Sequence, residues 1–448
     1  MRRFRPYQVD AFNYAVEQDH PVEWMEMRLG KTLVAIRRIK QYGKDLRVLI
    51  VAPNSALGSW LDELRTEGET DVVWLRGSRS DRVGKLEENH KWYLVNKEAH
   101  LTIPELRFQP WDCVVLDEST FIKNPKAKVT QFFSYANWCH VPHRWILTGT
   151  PNPQGDLDLW CQLAFLDGSF MGCRSYWDFR AKYFHVPWGY DWVPLPGAAE
   201  KIAAALRSRC FILRRRDVNI GPEKIISTRA VSLDPVTARR YSDIERDFAV
   251  EIMGKESKTL WAGARYTWLR RLCGGFDVEG KQMVSSEKMA ELMDLLTGEL
   301  VHEQVVVWFN FNAEVKAARE YCKQNKVSMA SITGEDSVEQ REKMRTWFQT
   351  KGVRVLLVQQ AVAQTGMNLS AADTAIYYAP PMGALAKSQT EDRILSVDKT
   401  SPLLYIRLVC PDTVDEDLWT NLSGQVMLND LTLSRALKDC IMQRRSNV

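Results

Sequence analysis

Short runs of consecutive apolar residues punctuate the first third of the chain: Val48 to Ala52, Trp92 to Val95, Cys113 to Leu116 and Trp145 to Leu147. Each has the length of a strand and no polar alternation, the pattern of a strand covered on both faces in a parallel sheet. Between them, apolar residues recur at helical spacing, at Val9, Phe12 and Val16, at Leu33, Ile36 and Ile39, and at Trp60, Leu61 and Leu64. Every strand run closes on a polar turn: Pro53-Asn54-Ser55, Asn96-Lys97-Glu98, Asp117-Glu118-Ser119, Thr148-Gly149-Thr150-Pro151. The alternation returns in the second half, with apolar runs at 304–309 and 353–358, strand ends at Ser331 and Tyr378, a charged helix from Glu339 to Phe348, and a helix opened by Ser388. Strand and helix in alternation, with polar groups at the strands' carboxyl ends, predict a doubly wound α/β architecture made twice over.

Composition narrows this little. The 448 residues allow two to four domains, and 45% hydrophobic with 26% charged residues is ordinary for a globular chain. No run approaches the ~18 apolar residues of a membrane span, and Met1-Arg2-Arg3 lacks an apolar stretch behind it, so a cytoplasmic protein without a secretory leader is expected. Nine cysteines without a C-x-x-C pair read as reduced thiols rather than a zinc site. Sixteen tryptophans read as core and interdomain packing. The net charge of +4 is uneven: residues 201–275 carry 16 Lys and Arg against 8 Asp and Glu. That segment fits either a polyanion partner or a solvated helical surface.

Two stretches carry chemistry. Gly30-Lys31-Thr32 opens a helix-periodic run and has the form of a phosphate loop's end: the glycine admits backbone N–H groups to a polyphosphate, the lysine neutralises it, and the threonine hydroxyl can ligand Mg²⁺. Met25 stands where the loop's first glycine belongs. Asp117 and Glu118 leave a fully apolar strand, where paired carboxylates are costly unless they work. In a phosphate-loop fold the first would hold Mg²⁺ and the second polarise the attacking water.

The segments Arg5-Pro6-Tyr7-Gln8, Met27-Arg28-Leu29-Gly30-Lys31-Thr32, Ala52-Pro53-Asn54-Ser55, Leu116-Asp117-Glu118-Ser119 and Leu147-Thr148-Gly149-Thr150-Pro151 come in the order and at the spacings of superfamily-two helicases. Their shape resembles the Swi/Snf branch, in a compact form similar to phage-encoded DNA helicases. The resemblance covers roughly residues 5–420. It implies two RecA-like lobes (1–155 and 286–425), a helical, basic protrusion and linker between them (156–285), and a C-terminal helical tail (426–448). It implies ATP and Mg²⁺ as cofactors. The nucleotide would meet Arg5, Tyr7, Gln8, Met27, Arg28, Leu29, Gly30, Lys31, Thr32, Gly366 and Asn368; Mg²⁺ would meet Thr32 and Asp117. Catalysis would fall to Lys31, Asp117, Glu118, Gln389 and Arg393. DNA, gripped by its backbone without regard to sequence, would meet Pro53, Asn54, Ser55, Asn96, Lys97, Thr148, Gly149, Arg214, Arg215, Arg216, Asn310, Phe311, Thr333, Gly334 and Gln360.

Two stretches depart from the family pattern: the one around Ser396, and the one after Val358, where Gln360 and Gln364 replace small residues common in the family. Gln389 and Arg393 match the first two positions of Gln-x-x-x-Arg-x-x-Arg, but Ser396 replaces the second arginine. A missing arginine finger costs a factor of order 10³–10⁵ in rate unless something substitutes. Either Arg393 suffices, a cation such as Lys399 reaches in, or hydrolysis is slow. The stretch from His185 to Pro196 breaks helical period with prolines and large aromatics; it stacks on DNA bases or packs on its own domain. The expected activity is that of an ATP-dependent DNA helicase or translocase, monomeric, acting on single-stranded, duplex or branched DNA in replication, recombination or repair. A duplex translocase without strand separation and a nucleotide-gated binding module with slow turnover stay open beside it.

Overall fold

A computed structural model describes residues 3–152, 155–186, 192–218, 220–253, 259–363, 367–396 and 399–423. The chain divides into two compact units, Met1–Ile220 and Gly221–Val448, each built on its own parallel sheet.

The first unit contains β1 (Val22–Met25), β2 (Val48–Ala52), β3 (Val72–Trp74), β4 (Trp92–Asn96), β5 (Cys113–Asp117), β6 (His143–Leu147), a small antiparallel hairpin of β7 (Phe184–His185) and β8 (Val193–Pro194), and β9 (Phe211–Leu213). The sheet runs β3-β4-β2-β5-β6-β1-β9. The four apolar runs of the sequence are β2, β4, β5 and β6, and β2 and β5 are buried along their whole length. One face carries Leu49, Val51, Tyr93, Leu116 and Trp138; the other carries Ile36, Trp60, Ile50, Trp92 and Trp145. With each large apolar side chain contributing roughly 1.5–3 kcal/mol on burial, covering both faces is what makes the unalternated strands stable.

The second unit contains β10 (Lys224–Ala230), β11 (Val305–Phe309), β12 (Met329–Ile332), β13 (Val355–Gln359), β14 (Thr374–Tyr377) and β15 (Leu403–Val409), in the order β10-β15-β14-β11-β13-β12 and parallel throughout. Its two faces likewise bury separate cores, around Trp308, Leu356 and Tyr377 on one side and Val307, Leu357 and Tyr378 on the other. These are two RecA-like lobes.

The division falls after Ile220, within the segment 156–285. The helices Leu159–Asp167, Tyr176–Tyr183 and Ala198–Arg209 belong to the first unit, and the basic helices Pro235–Met253 and Thr259–Cys273 to the second. The tail helix expected near Leu431 to Arg445 lies outside the described residues. No described helix is long and apolar enough to cross a membrane.

Candidate nucleotide site

The order β5-β6-β1-β9 sets four strand ends side by side, and the sequence's candidate chemistry sits on them. After β1 the backbone enters the left-handed region at Arg28 (φ 70°) and at Gly30 (φ 83°), then begins the helix Lys31–Ile39 with Gly30 as its N-cap. The turn therefore presents the helix's first N–H groups, which have no partner within the helix, at the end of the sheet. Arg28 holds a conformation that costs a non-glycine residue about 1 kcal/mol or more.

Lys31 is buried, and its Nζ donates to Met25 O at 2.8 Å, drawn back across the loop. Gln8 braces the loop from the helix Pro6–Val16: its Nε2 donates to Leu29 O at 3.1 Å, and its Oε1 accepts from Arg5 N–H at 2.9 Å. A Cβ on Gly30 would lie 2.2 Å from Gln8 Nε2. Of the other expected nucleotide contacts, Tyr7 and Leu29 are buried in a small core with Met25 and Val34, while Met27, Arg28 and Thr32 are partly exposed.

The carboxylates come from β5. Asp117 is buried, accepts from Trp60 Nε1 at 2.8 Å and from the Glu118 N–H at 3.0 Å, and its pKa is raised, chiefly by burial and then by Glu118, with Lys31 pulling the other way. Glu118 sits at φ 52°, ψ 52°, another strained non-glycine conformation, and its Oε2 accepts from Thr148 Oγ1 at 2.9 Å at the end of β6. Gln162, fully buried, ties the two exits together by accepting from Ser119 Oγ at 2.7 Å and donating to Pro151 O at 2.6 Å. The donor set fits a nucleotide with a divalent cation. A buried carboxyl whose ionised form lacks a full counter-charge is what a bound cation relieves, and Lys31 points only at a carbonyl.

Several residues of this site were not anticipated from the sequence. Trp60 signalled only helical packing. Glu23, inside β1, is fully buried with no hydrogen-bond partner for either oxygen among the described residues, and burial pushes its pKa well up while Lys31 opposes. Glu26 accepts from the Arg215 N–H at 2.6 Å and pairs with its guanidinium at 3.4 Å, and Glu26 N–H donates to Leu213 O at the end of β9. Arg215 Nη1 also reaches Met27 O at 3.5 Å.

This changes the picture for several residues expected at DNA. Arg215 turns in to the loop, while Arg214 pairs at the surface with Asp217 at 3.3 Å; the Arg216 side chain lies outside the described residues. Thr148 is fully buried on Glu118, and a Cβ on Gly149 would press on Met27 N at 3.2 Å, so the first faces the carboxylate and the second the loop. Asn54 is exposed and Pro53 partly so; the Ser55 side chain lies outside the described residues. Asn96 donates to Glu98, and Lys97 is partly exposed.

In the second unit, Gln360 is buried and donates to Ala379 O at 2.8 Å, and Thr333 is buried on Asp336, so neither is presented outward. Gly334 is exposed, its N–H held by Gln359. Asn310 donates to Pro380 O, and the Phe311 ring lies 5.6 Å from Arg270 and 5.4 Å from Arg271. Arg393 is buried, and Gln389 Oε1 is a buried acceptor with no partner among the described residues. Asn368 Oδ1 accepts from Ser370 N–H, and Gly366 lies outside the described residues. Lys399 pairs with Asp373 at 2.5 Å and donates to Ala372 O and Ile394 O.

Against known families, the SNF2-related domain matches residues 24–271, more than half of the chain. The chain belongs to the SNF2-related family. The helicase conserved C-terminal domain follows at residues 287–397. Similar proteins include a putative ATP-dependent helicase/translocase YwqA of Bacillus subtilis, 25% identical over 90% of this chain and 45% of the relative. A chromodomain-helicase-DNA-binding protein 1-like of Danio rerio is 23% identical over 99% of this chain and 45% of its own length. Putative protein p41 of Acyrthosiphon pisum secondary endosymbiont phage 1 is 27% identical over 60% of this chain and 63% of its own. The chain thus spans about half the length of the curated relatives it matches. A solved SWI2/SNF2 ATPase core of Sulfolobus solfataricus in complex with dsDNA aligns with a TM-score of 0.45 at 21% identity, over 94% of this chain and 91% of that one.

Proposed function

We propose that this SNF2-related chain is an ATP-dependent DNA translocase or helicase. The observation that carries the reading is the convergence of Lys31, Asp117, Glu118 and Thr148 on the adjacent carboxyl ends of β1, β5 and β6. When bound, ATP with its Mg²⁺ supplies the phosphoanhydride to be cleaved and the charge that buried Asp117 lacks. Lys31 would leave Met25 O to neutralise phosphate oxygens, and Thr32 and Asp117 would hold the cation. Glu118, oriented by Thr148, accepts a proton from the attacking water. Gln8 and Arg215 keep the loop in its strained turn, and Arg393 and Gln389 keep the catalytic role that the family resemblance implies. DNA, gripped through its backbone, makes binding sequence-independent and steeply salt-dependent. Branched DNA of replication, recombination or repair is the preferred substrate in this reading, and the chain acts as a monomer.

The test is phosphate release titrated with single-stranded, duplex and branched DNA. Lys31→Ala should lower the DNA-stimulated rate at least a hundredfold; equal rates for wild type and variant sink the motor. A second reading, a nucleotide-gated binding module with slow turnover, draws on Ser396 together with the engagement of Lys399 by Asp373. It predicts tight nucleotide-dependent DNA binding with negligible stimulation. Strand displacement on forked against blunt DNA separates a helicase from a duplex translocase.

A further inference from the structure

The helix Tyr176–Tyr183 and the hairpin behind it carry a feature the nucleotide site does not use. Trp177 and Arg180 stand three residues apart and so share a helix face, with the Arg180 guanidinium 4.6 Å from the Trp177 ring centroid. The hairpin pairs His185 with Val193, which returns Trp192 to the same place, 4.2 Å from that guanidinium. Lys126, from the turn before the helix Lys128–Phe132, approaches Trp177 from elsewhere in the fold at 5.6 Å. The Trp177 ring is fixed from behind by Tyr176, edge-on at 5.2 Å.

Both tryptophans remain 46% and 39% exposed, and no carboxylate among the described residues pairs with Arg180 or Lys126. Each ring receives the Arg180 guanidinium over it and still leaves much of its surface in water, and among the described residues these rings are the partners of Arg180 and Lys126. Core packing does not explain this, because the core residues of the same segment, Phe179 and Phe184, are buried beneath it. Flat apolar faces alternating with unpaired cations are complementary to unpaired nucleobases joined by phosphates. In a duplex the base faces are already stacked on one another and closed to a side chain.

We infer that Lys126, Trp177, Arg180 and Trp192 form a stacking surface for unpaired nucleobases, giving the protein a preference for DNA with a single-stranded arm over fully paired DNA. The inference rests on the DNA reading above and names the substrate class within it.

The test uses the full chain and two probes, a blunt duplex and the same duplex with a single-stranded arm containing 2-aminopurine. Affinities are read by anisotropy at low salt without nucleotide, and base stacking by quenching of the 2-aminopurine. Wild type should favour the armed duplex and quench the probe. The Trp177→Ala, Trp192→Ala pair should reduce that preference by about 5- to 150-fold, the range for one stacked base, and abolish quenching. The Trp177→Phe, Trp192→Phe pair, which keeps the ring faces, should restore most of both. An unchanged preference and quench in the alanine pair overturns the inference, and so does an equal loss of affinity for both probes, which would mark a phosphate patch alone. Phosphate release is followed in the same samples. Failure of the motor reading appears there, as absence of DNA stimulation in wild type, and leaves the binding preference readable.

Discussion

Gly30→Ala perturbs the loop in a way the structure allows to be worked through. The residue sits at φ 83°, and placing a Cβ there costs about 1–2 kcal/mol from the left-handed conformation alone. The new carbon would also lie 2.2 Å from Gln8 Nε2, well inside contact distance. Gln8 must then withdraw, giving up its bond to Leu29 O and the one it accepts from Arg5 N–H, each worth about 0.5–1.5 kcal/mol. The expected loss is about 2–5 kcal/mol of first-unit stability, with a matching weakening of nucleotide binding. Gln8→Ala alone loses the same two bonds without the clash, about 1–3 kcal/mol. The two costs overlap. In the Gln8→Ala background, adding Gly30→Ala should cost only the conformational 1–2 kcal/mol, so the double variant should be more stable than the sum of the singles by about 1–3 kcal/mol. Urea denaturation with separate transitions for the two units, alongside titration with a fluorescent ATP analogue, reads both quantities. Additivity within about 0.5 kcal/mol would refute the account, because residues without contact behave that way.

Two further outcomes follow from the buried charges. Burial raises Glu314 to about 7 from 4.5, although the amides of Phe311 and Asn310 and the charges of Lys288 and Arg270 pull it down. The folded state therefore takes up a proton between pH 4.5 and 7: the stabilisation is complete below 4.5, and about 3 kcal/mol of second-unit stability is lost as pH rises to about 7. Glu314→Gln should flatten that slope in pH-dependent unfolding, and an unaltered slope would reject the assignment. Arg215→Ala should weaken ATP-analogue binding at least fivefold through loss of the Glu26 pair, while Arg214→Ala, at an exposed pair, should leave it within twofold. Equal effects of the two substitutions would show that Arg215 does not brace the loop.

What the sequence made legible follows from how each element is buried. β2, β4, β5 and β6 announce themselves because burial on both faces gives each an unbroken run of three to five apolar residues, although β6 opens on His143 and Arg144. β1 hides because Glu23 interrupts its apolar run, although the strand is wholly buried. β15 hides because Arg407 lies within it, covered by the Trp419 ring at 4.1 Å. The chemical groups at the strand ends were legible by type and order, but their partners were not. Nothing local tells that Trp60 donates to Asp117 or that Arg215 lies on Glu26, 189 residues away. A run of arginines reads alike whether it faces a phosphate or a carboxylate, and only the placement of β9 beside β1 decides it for Arg215.

The loop holds one non-glycine residue in a strained conformation, and the structure supplies a physical reason the strain is tolerated. At position 28 an arginine adopts the turn that glycine adopts without strain. The neighbouring bonds from Gln8 to Leu29 O and from Arg215 to Met27 O and Glu26 lie on either side of it in sequence. Two partly or fully buried braces of about 1 kcal/mol or more each are of the size needed to hold one strained residue. The loop's shape is thus maintained from outside, by the helix Pro6–Val16 on one side and the strand end of β9 on the other, rather than by its own composition. In the second unit Ser396 stands at the position of the second arginine, and Lys399 pairs with Asp373.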